Sequence, residues 1–165
     1  MMTPMQNLLI NETREIEKII QKIIGEPCWG GRLSIGNELR LEFGPKLPNP
    51  NLRDKLKGYW RLGASTSKWV LLTGNDLVVS SNDDVMQIKE KISLLNDQQV
   101  TAFNINWEDF SAEILFGNQI RLKLSPDLRK RSKVPHWQLF MPDSLLLEVG
   151  PSKTWLLCSS KETFK

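Results

Sequence analysis

Apolar positions recur along the chain at two spacings. In "NETREIEKIIQKIIGEP", residues 11–27, Ile16, Ile19, Ile20, Ile23 and Ile24 fall on one face at helical spacing. Asn11 or Thr13 is placed to cap this helix, and Gly25 followed by Pro27 stops it. A second helical stretch, "SSNDDVMQIKEKISLLND", aligns Val85, Ile88, Ile92 and Leu95. Ser81 or Asn82 can cap it, and Asp83 and Asp84 stand where the helix dipole favours negative charge. Elsewhere the period is two. Leu39, Leu41 and Phe43 alternate with Arg40 and Glu42, and Ile120, Leu122 and Leu124 alternate with Arg121 and Lys123. One-sided alternation predicts antiparallel strands with one wet face. Gly36-Asn37, Gly117-Asn118, "TGND" and "MPDSL" mark tight turns between them.

The strand patterns come in two series. "GNELRLEF" at residues 36–43 matches "GNQIRLKL" at 117–124, and "PNLRDKLKGYWRL" matches "PDLRKRSKVPHWQL". Next "KWVLLTG" faces "SLLLEVG" and "DLVVSSND" faces "TWLLCSSKE". Four blocks in one order predict an internal duplication: an α+β fold of two helix-plus-antiparallel-meander units, residues 11–81 and 82–162, with pseudo-twofold symmetry inside one compact domain, 1–165. The second unit adds a strand, "VTAFNINW", after its helix. A lone meander leaves an apolar face and open edges, so each unit needs the other, either stacked face to face or continued edge to edge. Trp60 and Trp137 match between the units and are expected in the core, whereas Trp29 and Trp107 have no match and are free to serve an interface.

Composition changes this picture little. The 165 residues are 40% hydrophobic and 25% charged, enough for a core without staples. The two cysteines, Cys28 and Cys158, form no C-x-x-C pattern; unpaired core thiols are the expectation, with a disulfide between them the alternative. The N-terminus reads as neither a secretory signal nor a membrane span, which makes a cytoplasmic protein without membrane partners the expectation.

Catalytic chemistry finds little support. His136 is the one histidine, so neither a Cys-His nucleophile nor a histidine-based metal site can be assembled, and it is expected at a surface or strand boundary. Glu42, Glu113 and Asp109 can be nominated as paired acids, but they lie on polar faces with nothing to perturb them. Phosphate-cradling glycine loops are absent from the sequence. No enzyme activity, cofactor or metal is expected.

Charge is more informative. Residues 45–61 carry +4 and residues 125–135 carry +3, against +3 for the whole chain. Two loops made equivalent by the duplication therefore concentrate the positive charge. Arg53, Lys55 and Lys57 in the first, and Arg129, Lys130, Arg131 and Lys133 in the second, are the candidate partner-binding residues. Three readings compete: solvated loops guarding sheet edges, an acidic protein partner, and nucleic-acid phosphates. A modest net charge and loops with no aromatic before Tyr59 weigh against nucleic acid.

"GYWRL", "KWVL" and "HWQLFMPDSLLLEVGPSKTW" resemble a widespread bacterial family of small duplicated β-rich proteins without an established activity. Its pattern, G-x-W-x-L followed by H-W-x-L-x-x-P-D and V-G-P-x-x-x-W, falls here on Gly58, Trp60 and Leu62, then on His136, Trp137, Leu139, Pro142, Asp143, Val149, Gly150, Pro151 and Trp155. The N-terminal helix and the basic loops lie outside the pattern. The resemblance implies a small cytoplasmic protein, carries over no catalytic residue, and is loosely immunity-protein-like. A non-catalytic module that binds and neutralises an acidic-surfaced partner protein is the leading expectation; a nucleic-acid-associated accessory protein is the alternative.

Overall fold

The structure, a computed structural model, describes residues 4–49, 56–129 and 133–160. Helix α1 spans Pro4–Ile20 and tightens into a 3-10 turn at Gln21–Ile23. It begins well before the expected caps, so Asn11 and Thr13 are interior. Pro4 suits that start, because its missing N–H would be unsatisfied there anyway. Ile16, Ile20 and Ile23 enter the core, while Ile24, already extended at φ −60° and ψ 131°, turns outward. Helix α2 is short, Val85–Lys91, and tightens likewise at Ile92–Leu95. Of its expected caps, Ser81 instead accepts from Trp69 N–H at 3.1 Å through Oγ, and the Asp83 carboxylate, expected to favour the helix dipole, accepts from Ser80 N–H at 2.8 Å. Among the described residues no helix is long and apolar enough to cross a membrane.

Among the described residues eleven strands are formed, five between α1 and α2 and six after α2: β1 Cys28–Leu33, β2 Leu39–Pro48, β3 Leu56–Ala64, β4 Lys68–Thr73, β5 Asp76–Ser80, β6 Val100–Ile105, β7 Ala112–Phe116, β8 Ile120–Ser125, β9 Trp137–Met141, β10 Leu145–Val149 and β11 Trp155–Ser159. They form two antiparallel sheets, ordered β1-β2-β3-β9-β10-β11 and β5-β4-β8-β7-β6. The fold is therefore α+β, with the chain crossing between sheets after β3 and again after β8. Strands matched from sequence do not keep matching places: β2 pairs with β3 in the first sheet, while β8 pairs with β7 and β4 in the second.

The sheets meet through their apolar faces, which decides between stacking and edge-to-edge continuation. Phe43 of β2 stacks on Phe116 of β7 at 6.4 Å, and Phe103 of β6 lies 6.2 Å from Trp137 of β9. Leu39, Leu41, Leu62, Leu71, Ile114, Leu122 and Leu139 are buried between them. Each such side chain contributes roughly 1.5–3 kcal/mol. Trp60, Trp69 and Trp137 belong to this core, and Trp137 Nε1 donates to Phe110 O at 2.9 Å, so no polar atom of the deepest indole is wasted. Paired positive φ at Asn118 and Gln119 (58° and 62°) and at Asp143 and Ser144 (64° and 60°) turns two hairpins. The first of these falls one residue later than Gly117-Asn118.

His136 is buried, contrary to the boundary position expected for it. Its Nε2 lies 2.9 Å from Ser152 O, and its ring packs against Gly150, where φ is +92°. It is a structural residue at the β9 entrance. Cys28 and Cys158 form no disulfide; Cys28 is buried and Cys158 half-buried.

Candidate functional site

A β-bulge builds the most distinctive polar arrangement in the molecule. The β2–β3 register shifts between Phe43 and Lys46, opposite Trp60 and Gly58, which frees the Gly58 N–H from the ladder. Glu42 Oε1 accepts that N–H at 2.8 Å. A side chain at position 58 would meet Trp60 O at 2.6 Å and Phe43 N at 2.7 Å, so only glycine fits. Arg61 Nε reaches both Glu42 oxygens at 3.0 Å, and Arg32 Nη1 reaches Oε2 at 3.0 Å. Glu42 was expected on a wet face; its side chain is 1% exposed. Burial of a carboxylate is tolerable here because charged donors and a backbone N–H replace its water.

Arg61 is the link from this cluster to open space. Its Nη2 is shielded from solvent and meets no acceptor among the described residues. The same side chain lines a cavity of about 270 Å³ together with Lys57, Tyr59, Phe140, Asp143 and Ser144. Two cations and one exposed carboxylate thus face a space walled by an aromatic ring and the β9–β10 turn. Nearby, Trp29 Nε1 donates to Gly44 O at 2.9 Å and Lys46 Nζ lies 5.1 Å above the Trp29 ring, so this tryptophan braces the bulge.

The sequence-derived cationic candidates divide. Lys57 is half-buried and belongs to the cavity. Arg129 and Lys133 are exposed and stand at the far end of the sheet, where Thr66 and Ser67 N–H donate to His136 O. Strand β3 separates the two places by about 26 Å at the usual rise per residue. Arg129 is spent on Asp127 at 3.5 Å, and its backbone N–H is the main cause holding that carboxyl below its ordinary range. Arg53, Lys55, Lys130 and Arg131 lie outside the described residues. Sequence reasoning missed Arg61 as a site residue and discounted Glu42; the signal available was "GYWRL", whose glycine and arginine flank the bulge.

A second concavity, about 780 Å³ and mostly apolar, runs between α1 and β11 and is lined by Ile16, Ile19, Trp155 and Leu157. At its side Trp107 packs on Trp155 at 5.5 Å and donates from Nε1 to Glu17 at 2.8 Å, so Trp107 ties the turn after β6 to α1. Among the described residues no three His, Cys, Asp or Glu side chains are grouped to hold a metal ion. Compared with protein-family models, with curated proteins and with solved structures, the chain matches none.

Proposed function

We propose that the protein is a non-catalytic cytoplasmic binding module, immunity- or antitoxin-like, that takes an acidic-surfaced protein partner on the outer face of its first sheet. The observation that carries this reading is the convergence of Lys57 and Arg61 on one cavity beside a carboxylate whose own donors are already in place. Charge held on a rigid sheet steers encounter and fixes orientation more than it adds affinity. A nucleic-acid partner is less well supported, because Lys57 stands a strand's length from Arg129 and Lys133 instead of sharing one track with them.

The reading includes an internal duplication, with its strands matched differently from the sequence blocks. One unit is α1, β1-β2-β3 in the first sheet and β4-β5 in the second; the other is α2, β6-β7-β8 in the second sheet and β9-β10 in the first, with β11 added. Four observations support this matching. Gly25 N–H donates to Val100 O while Asp97 N–H donates to Cys28 O, and Val100 N–H donates to Glu26 O while Cys28 N–H donates to Gln98 O. Gly44 N–H donates to Pro27 O as Gly117 N–H does to Gln99 O. Leu62 opposes Leu139 and Arg61 opposes Phe140, as Leu122 opposes Leu71 and Arg121 opposes Leu72. Phe43 and Phe116, each the residue before a matched glycine, meet in the centre.

A photo-crosslinking residue placed at Tyr59, and separately at Lys133, tests the function in the native host. Protein adducts at Tyr59 that disappear with Lys57→Glu, while the melting temperature holds, are expected. Equal adducts at both positions, insensitivity to Lys57→Glu, or adducts removed by nuclease would overturn the reading.

A further inference from the structure

Among the described residues β1, β11, β5 and β6 edge the two sheets, and all but β11 are protected. On β1, Asp97 N–H donates to Cys28 O and Cys28 N–H donates to Gln98 O; on β6, Gly25 N–H donates to Val100 O and Val100 N–H donates to Glu26 O. In β5 the register shifts between Leu77 and Val79, which interrupts the edge for an incoming strand. β11 pairs with β10 in unbroken register, and no described strand pairs with its other side. Gly150 N–H donates to Thr154 O and Ser160 N–H to Ser144 O, so every second residue, Leu156 included, bonds toward β10. Trp155 and Leu157 therefore turn their N–H and C=O groups to the open side. Their side chains lie on the inner face, opposite the buried Val149 and Leu147, and line the apolar groove with Ile16 and Ile19 of α1. Leu156, on the outer face, is 54% exposed.

We propose that β11 is a self-association surface, on which a second copy of this chain pairs antiparallel through its own β11 about a twofold axis at Leu156. The backbone sets the register. With Leu156 on the axis, Trp155 of each copy opposes Leu157 of the other, and the outward N–H and C=O groups of both residues are satisfied. Leu156 meets its own counterpart in a non-hydrogen-bonded pair, where side chains approach most closely, and leaves water there. Charge favours a copy of this strand as the occupant. Residues 154–158 bear no charged side chain, so self-pairing sets no like charges together, and Lys153 falls opposite Ser159. Each edge strand uses up the other, and the protected edges at β1, β5 and β6 stop the assembly at two copies. The area is small, below about 1,200 Å² in total, so a weak dimer with a dissociation constant of about 10–100 µM is expected. Pairing at β11 goes beyond the partner reading above and does not rest on it.

Sedimentation equilibrium of the full-length protein across the micromolar range tests self-association, and two variants test the surface. Leu156→Lys sets two ammonium groups side by side on the axis, and its side chain stands outside the core in the monomer. It is expected to weaken the dimer at least about a hundredfold. Its melting temperature should match the wild type's when both are diluted to monomer. Leu156→Cys, in a Cys158→Ser background, tests the register. Across the axis the two Cα atoms would lie about 4.5 Å apart, within reach of a disulfide. Oxidised glutathione should therefore crosslink this variant into a dimer on a non-reducing gel. Leu77→Cys, equally exposed but on the interrupted edge of β5, should stay monomeric under the same treatment. A monomer at every concentration, a Leu156→Lys variant that associates like the wild type, crosslinking at Leu77→Cys equal to that at Leu156→Cys, or species larger than a dimer would overturn the proposal.

Discussion

Single residues here carry charge into places that water does not reach. Glu42 holds Arg32, Arg61 and the Gly58 N–H together, so Glu42→Ala would strand two guanidinium groups and a backbone donor. A loss of about 3–5 kcal/mol is expected, read as a lower urea midpoint. Cys28 lies under the same cluster. Burial, with a smaller contribution from the Glu42 charge, pushes its thiol well above the ordinary range. A raised value in the folded state means stability that is complete below the unfolded thiol's value of about 8.5 and is lost as pH rises past it. Between roughly pH 8.5 and 10 the wild-type urea midpoint should therefore fall, by up to about 1.4 kcal/mol per pH unit, and Cys28→Ala should fall less steeply. Asp109 has the opposite sign. The Ser111 hydroxyl and backbone N–H hold its carboxyl below the ordinary range, so the stability it adds is present above the unfolded value and lost as pH falls through the folded one. Ser111→Ala should move the Asp109 titration upward in an NMR pH series.

Elements are positioned by their ends more than by their middles. Gly150 closes β10 at φ +92°, and a Cβ there would lie 2.5 Å from His136 Cδ2 and 2.9 Å from His136 N. Left-handed backbone and a ring that cannot retreat act together, so Gly150→Ala should cost about 3 kcal/mol or more in a thermal melt. Position 58 behaves similarly, but there the obstacle is backbone on both sides. Neither glycine's role is visible in hydrophobic periodicity. What periodicity did reveal was the helical face: Ile16, Ile20 and Ile23 in α1 and its turn, and Ile88, Ile92 and Leu95 after β5, are all buried as their spacing requires. It overreached at Ile24, one residue beyond the last turn, because spacing alone does not say where a helix stops.

At the scale of the molecule, two stacked sheets exchange a strand pair: β4-β5 joins the sheet of β6-β7-β8, and β9-β10 joins that of β1-β2-β3. The two 3-10 turns close the seam, Ile92–Leu95 beside β1 and Gln21–Ile23 beside β6, where Gln21 Nε2 donates to Phe103 O at 3.2 Å. If the proposed duplication is right, equivalent core positions should matter equally. Ile20→Ala and Ile92→Ala are each expected to cost about 2–5 kcal/mol and to agree within about 1 kcal/mol by urea denaturation. A large cost at one and almost none at the other would argue that the two helices play unrelated parts. The repeated strand phrases were placed one strand away from this matching. Every strand of a sandwich reads Leu-x-Leu-x, so short blocks align at almost any offset. "KWVLLTGND" against "HWQLFMPDS", with the turn included, is the longer match that fits the pairing.

The sequence alone determined the period-two strands, the two isoleucine-lined helices and the turn residues, because each of these follows from contacts within a few residues. Whether the sheets stack, which strands pair, that Glu42 is enclosed, and that Lys57 meets Arg61 while Arg129 and Lys133 stand apart were decided only by tertiary structure. Those outcomes depend on register between strands far apart in the chain, and the bulge at Gly44 and Pro45 frees the Gly58 N–H that helps enclose Glu42 on the outer face of the sheet.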